Sequence, residues 1–192
     1  STASIIISPS ASLKVTELMY NPADGKTFEF IELKNTAGFP INLAGITLSG
    51  VSFAFEEGTL APWESGLLIP NDDPDAFIAK YPNAPILGTY GGSLSNSGEE
   101  LQLIDPDGQV IYSVNYSDET PWPNEASGNG SSLELATNLG NERDPSNWRA
   151  SLVPGGTPGD ILFLSTKLSL TGGRMAIRFL GLPGNTYSLH TS

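Results

Sequence analysis

The sequence contains no cysteine and a single histidine, His190, and it sets 9 Lys/Arg against 21 Asp/Glu. Without cysteine there is no disulfide framework, no thiol nucleophile and no zinc-ribbon site. A Ser-His-Asp arrangement needs a histidine held by packing and oriented by a third group, whereas His190 is followed only by Thr191 and Ser192. No Gly-x-Ser-x-Gly, phosphate-loop or His-Glu-x-x-His pattern occurs. Two carboxylates alone can hydrolyse a glycoside, but acidic pairs are common in such a chain, and no enzyme is expected. Basic residues are scarcest in residues 1–159, which hold 20 Asp/Glu and 6 Lys/Arg. Nucleic-acid binding rests on Lys/Arg neutralising phosphates, so that partner is not expected either. An acidic surface suits salty surroundings or contact with divalent cations. Long hydrophobic runs are missing too: Ile5-Ile6-Ile7 falls far short of the ~20 residues a membrane helix needs, so no membrane insertion is expected. The chain starts at Ser1 and reads as a mature form or an excised fragment.

What the chain has in quantity is turn chemistry, with 21 glycines and 15 prolines between short apolar segments. Those segments are Leu13–Tyr20, Phe28–Lys34, Ile46–Phe55, Gly66–Pro70, Glu100–Ile104, Val110–Tyr116 and Ser132–Leu135. Short strands punctuated by Gly, Pro, Asn and Asp predict a sandwich or barrel. Asp105-Pro106-Asp107-Gly108 predicts a hairpin turn, since proline presets φ and glycine takes the left-handed position. One helix is predicted over Asp72–Tyr81. Asp73 is its cap and Pro74 its first residue; Phe77, Ile78 and Tyr81 share the buried face, and Pro82 stops it. Residues 1–12, Ser-rich and aperiodic, read as a linker or frayed N-terminus. Pro154-Gly155-Gly156-Thr157-Pro158-Gly159 breaks helix and strand alike and reads as a boundary between a main domain, 13–159, and an incomplete second β unit, 160–192.

Taken in order, the motifs resemble one family. Val15-Thr-Glu-Leu-Met-Tyr-Asn-Pro22 is followed by Phe28-Glu-Phe-Ile-Glu-Leu-Lys-Asn35, Ile41-Asn-Leu-Ala-Gly-Ile-Thr-Leu48 and Leu60-Ala-Pro-Trp63. Next come Gly92-Ser-Leu-Ser-Asn-Ser-Gly98, Leu101-Gln-Leu-Ile-Asp-Pro-Asp-Gly108, Pro121-Trp-Pro123, Gly130-Ser-Ser-Leu133, Asn147-Trp148 and Gly156-Thr-Pro-Gly159. The series resembles a bacterial lamin-tail domain over residues 13–159. The resemblance implies an all-β, immunoglobulin-like sandwich with one short helix and no catalytic machinery, acting as a surface accessory of exported or cell-surface proteins. Family members that touch DNA do so through basic surfaces, so no DNA-binding residue is carried over. Arg178–Leu189 resembles the first strands of a repeat found in exported multidomain bacterial proteins.

Three groups of side chains stand out. Period-2 alternation places Glu29 with Ile31 and Leu33, and Glu32 with Phe28 and Phe30; either way a carboxylate shares an apolar face. A buried carboxylate needs an arginine, backbone N–H groups or a metal. The favoured expectation for Glu17, Glu29 and Glu32 is a structural hydrogen bond or ion pair with Arg143 or Arg149 as the cation, the alternative being calcium held between Glu17 and Glu32. Asn71-Asp72-Asp73-Pro74-Asp75 offers hard oxygens of the kind calcium takes, although Asp73 already serves the helix. No catalytic, cofactor or metal residue is assigned. Of the tryptophans, Trp148 is expected in the core and Trp63 as a half-buried plug. Trp122, between two prolines, is expected to pin its loop, the alternative being an exposed platform for a sugar ring or a partner. The functional expectation is an interaction or spacer module that meets another protein or a surface glycan through loops such as Ser117–Gly130, with a calcium-dependent adhesion or carbohydrate-binding module as the rival.

Overall fold

Apolar residues at every second position give the first two strands, β1 (Leu13–Met19) and β2 (Phe30–Asn35), which pair antiparallel. A bulge between Val15 and Glu17 resets the alternation of β1, so Val15 and Leu18 both face the core while Glu17 faces away. The computed structural model describes residues 12–137 and 140–159, and of the rest only the strands 167–171 and 174–178. The expected linker, save Ser12, and His190 therefore lie outside the described residues. The chain divides into two compact units, Ser1–Gly159 and Asp160–Ser192.

After β2 come β3 (Ile41–Asn42), β4 (Thr47–Leu48), β5 (Phe53–Ala54), β6 (Thr59–Leu60) and β7 (Ser65–Pro70). The expected single strand over 46–55 is two two-residue strands, because Gly50 takes φ +89° and turns the chain back between them. Helix α1 (Pro74–Lys80) follows, capped by Asp73, whose Oδ1 accepts from Ala76 N at 3.1 Å. It leads into β8 (Ile86–Tyr90), which lies parallel to β7. A connection returning parallel needs a crossover, and α1 supplies it. The hairpin of β9 (Gly98–Ile104) and β10 (Val110–Ser117) turns on Asp105–Gly108 as its residues predict. Asp105 Oδ1 accepts from Asp107 N and Gln109 N, and Gly108 has φ +80°. β11 (Leu133–Leu135) and β12 (Trp148–Ala150) complete the first unit. In the second unit β13 (Lys167–Thr171) and β14 (Arg174–Arg178) form an antiparallel pair.

The first unit is an immunoglobulin-like β-sandwich. One sheet runs β12-β11-β1-β2-β7-β8 and the other β10-β9-β4-β5, with β3 and β6 paired beside them. Leu18, Ile31, Leu33, Leu68, Tyr90, Leu101, Leu103 and Val114 fill the space between. The six-stranded sheet buries its second face as well. Half of it is apolar: Met19, Phe30, Leu67 and Ile69 meet Phe77 of α1, whose ring contacts Phe30 edge-on at 6.2 Å. Ile78 departs from expectation at 45% exposed, because a helix this short covers the sheet with Phe77 and Tyr81 alone. The other half of that face is polar.

Candidate functional site

The polar half is a row of side chains at matched register across four strands. Glu32 of β2 stands beside Glu17 of β1, Glu17 beside Glu134 of β11, and Glu134 beside Arg149 of β12. All three carboxylates are buried. Their cover is the segment 153–159. Thr157 N donates to Glu17 Oε1 at 2.8 Å and Gly159 N donates to Glu32 Oε2 at 2.9 Å. Pro158 between them has no N–H, so over residues 157–159 the backbone offers donors only where the row has acceptors. The Thr157 and Gly159 amides bond to side chains rather than to a ladder, while Gly155 N donates to Gly130 O at 2.7 Å and Gly156 N to Val153 O at 3.0 Å. Hydroxyls supply the rest: Ser132 donates to Glu17 Oε1 and Thr16 to Glu32 Oε1, each at 2.5 Å.

Burial raises the Glu17 carboxyl to about 8, with neighbouring Glu32 and Glu134 adding to the rise and the bonds from Ser132 and Thr157 opposing it. Burial raises Glu32 as well, against the bonds from Thr16 and Gly159. The expected cations are placed differently from the sequence reading. Arg149 pairs with Glu134, Nε and Nη2 each 3.0 Å from Oε2, rather than with Glu17 or Glu32. Arg143 makes no described ion pair with any of the three. Glu134 was missed by sequence reasoning, though a glutamate between Leu133 and Leu135 in a short strand is the signal that marked it. Glu29 lies outside β2 and accepts from Tyr90 Oη at 3.1 Å and Leu94 N at 2.9 Å. Burial raises its carboxyl too.

Both oxygens of Glu17 and of Glu32 are thus already engaged in hydrogen bonds, Glu17 Oε2 with Thr157 Oγ1 at 3.1 Å. Of the acidic run before α1, Asp73 caps the helix and Asp72 pairs with Lys26 at 3.0 Å; Asp75 is exposed in the first turn. Among the described residues no three His, Cys, Asp or Glu side chains converge as metal ligands do. Calcium at millimolar concentration is accordingly expected to leave the melting temperature where chelator leaves it. Ligand binding to the folded state raises stability by mass action, so a calcium-dependent rise would contradict this.

The tryptophans separate sharply. Trp148 is buried, and its Nε1 donates to Glu142 O at 2.9 Å. Trp122 is 7% exposed and packs on Trp148 with ring centroids 6.0 Å apart, so it pins the 117–130 loop and presents no free face. Trp63, expected to be half-buried, is instead 57% exposed. It occupies the third position of the turn Ala61-Pro62-Trp63-Glu64, closed by Glu64 N to Ala61 O at 3.1 Å. With proline second, a φ of +66° at Trp63 makes a type II arrangement. That position takes glycine or asparagine by preference, and a bulky residue there is an outlier. The turn is rigidly held. Glu64 Oε2 accepts from Ala61 N, and the buried Asn35 side chain donates to Phe39 O, Leu60 O and Ala61 O while accepting from Ala37 N.

The Lamin Tail Domain family model matches residues 7–118, more than half of the chain. The match spans β1 to β10; β11 and β12 lie beyond it yet complete the same six-stranded sheet, and the segment 153–159 that covers the carboxylate row lies beyond it as well. Comparison with the curated proteins finds no match.

Proposed function

The chain belongs to the lamin tail domain family, and from that premise we propose that it is a non-catalytic interaction module that docks another protein through the Trp63 turn. One observation carries the reading: a tryptophan stands exposed at a left-handed backbone position on a turn held by Asn35 and Glu64. Strain at an exposed, well-fixed residue points to use rather than to packing, and tryptophan is the side chain most enriched among residues that dominate protein interfaces. A protein fits better than a sugar. Glycan sites flank the ring with polar groups, whereas the carboxylate beside Trp63 is turned back onto Ala61 N. The host is an exported or cell-surface bacterial protein, supported by the likeness of Arg178–Leu189 to a repeat of such proteins.

Trp63→Gly separates binding from folding. Glycine adopts a positive φ freely, so the variant is expected to melt within about 1 kcal/mol of the parent. Binding is expected to weaken ~30-fold or more, the loss of an interface anchor. The measurement is a paired capture from the host's secreted proteins, followed by titration of whatever the parent retains. Equal retention by parent and variant would remove the Trp63 turn from the interface. Loss confined to a glycan array would reassign the partner.

A further inference from the structure

We infer that residues 153–159 form a proton-operated clasp, seated on the six-stranded sheet while the Glu17–Thr157–Glu134 chain holds its extra proton and loosened when that proton leaves. The geometry makes one hydroxyl decisive. Thr157 Oγ1 lies 3.1 Å from Glu17 Oε2 and 3.3 Å from Glu134 Oε1. A threonine hydroxyl has one proton and cannot donate to both carboxylates. With Glu17 protonated on Oε2 every contact is satisfied: that O–H donates to Thr157 Oγ1, whose own proton goes to Glu134, whose other oxygen takes Arg149. Ser132 and the Thr157 amide then share Glu17 Oε1.

Removing the proton leaves two buried anions facing one hydroxyl. The groups facing Glu17 offer little relief. Glu32 and Lys34 stand on β2, Glu134 on β11 and Arg149 on β12; from the residue that ends α1 comes the neutral phenol of Tyr81, whose Oη donates to Gly155 O at 2.8 Å. Arg149 is committed to Glu134. The strands on either side cannot part without breaking the sheet. The covering segment can. Beyond Thr157 and Gly159 it is tied by Gly155 N to Gly130 O at 2.7 Å, Tyr81 Oη to Gly155 O and Ser151 Oγ to Val153 O. Tyr81, Gly130, Val153 and Gly155 are half-exposed, so water can serve the groups they free. Lifting it hydrates Glu17 and releases the amides of Thr157 and Gly159 together.

The sign follows from where Glu17 binds its proton. Burial holds its carboxyl at about 8 in the closed form, and hydration in the open form returns it toward the ordinary carboxylate range. The closed form is therefore fully favoured below the open-form value and loses its advantage as pH climbs toward the closed-form value. The test is amide exchange in the full-length chain, followed by NMR and expressed as protection factors corrected for intrinsic pH dependence. Protection at Thr157 and Gly159 is expected to fall by up to about tenfold per pH unit between pH 5 and 8, while Leu101 and Val114 hold steady. Glu17→Gln imitates the protonated acid, with an N–H for Thr157 and an oxygen for Ser132, and is expected to keep protection flat across the range. A flat parent profile, an equal fall in Glu17→Gln, or a fall shared by Leu101 and Val114 would each overturn the clasp.

Discussion

Gly156→Ala is expected to lower the melting temperature by roughly 10 °C, from a loss of about 3–5 kcal/mol in a domain of this size. Gly156 has φ +76°, where a side chain is disfavoured by about 1 kcal/mol. The larger effect is steric. A Cβ at this position would overlap Glu17 Oε1 and stand 2.9 Å from Ser132 Oγ and 3.0 Å from Phe30 Cζ. Phe30 is locked in the apolar half of the face and cannot yield, so the segment must lift. Lifting strips Glu17 and Glu32 of the Thr157 and Gly159 amides, and each buried acceptor left unpaired costs about 1–3 kcal/mol. Gly130→Ala supplies the control. Gly130 has φ +94° yet nothing lies within 4 Å of its would-be Cβ, so only the backbone effect, about 1 kcal/mol, is expected. Thermal melts of the two variants followed by circular dichroism decide the matter. Equal losses would mean that the segment is not seated on the carboxylate row.

The features legible in the sequence were those written within a few residues. Asp105–Gly108 carries its whole turn chemistry in four positions, and Asp73-Pro74 starts α1 whatever surrounds it. Features set by pairing across the chain were not legible. Glu134 gains its meaning from standing opposite Glu17, and Ser132 reaches Glu17 from 115 positions away. β8 escaped because its residues are mostly half-buried and contain Gly88, whose missing side chain makes room for the ring of Phe53. Trp63 and Trp122 both adjoin proline, so local chemistry treats them alike. Their fates part because Trp148 is there to receive one and a left-handed turn projects the other. That Pro154–Gly159 seats on the sheet was not legible either, since Thr157 N and Gly159 N meet carboxylates 140 and 127 positions away.

Asn35→Ala is expected to cost about 3–5 kcal/mol and to abolish partner binding along with it. Asn35 is fully buried at the end of β2, and its one amide group organises two loops. Nδ2 donates to Phe39 O at 2.8 Å and to Leu60 O and Ala61 O at 3.0 Å, while Oδ1 accepts from Ala37 N at 2.8 Å. Alanine takes the Nδ2 donors from all three carbonyls, of which Ala61 O keeps Glu64 N, and strands Leu60 O and Ala37 N at buried positions, where unpaired polar groups carry the full desolvation penalty. The 36–40 loop and the 60–64 turn then lose their common tie, and Trp63, whose ring rests 3.9 Å from where a Gly38 Cβ would stand, loses its fixed bearing. Asn35→Asp removes the donors and keeps the acceptor, so it is expected to resemble alanine rather than the parent. Binding measured well below the melting temperature, on variants shown folded by near-ultraviolet dichroism, separates mispositioned Trp63 from unfolding. A folded Asn35→Ala that binds as tightly as the parent would detach the turn's rigidity from its use, leaving Trp63 exposed but its strain unexplained.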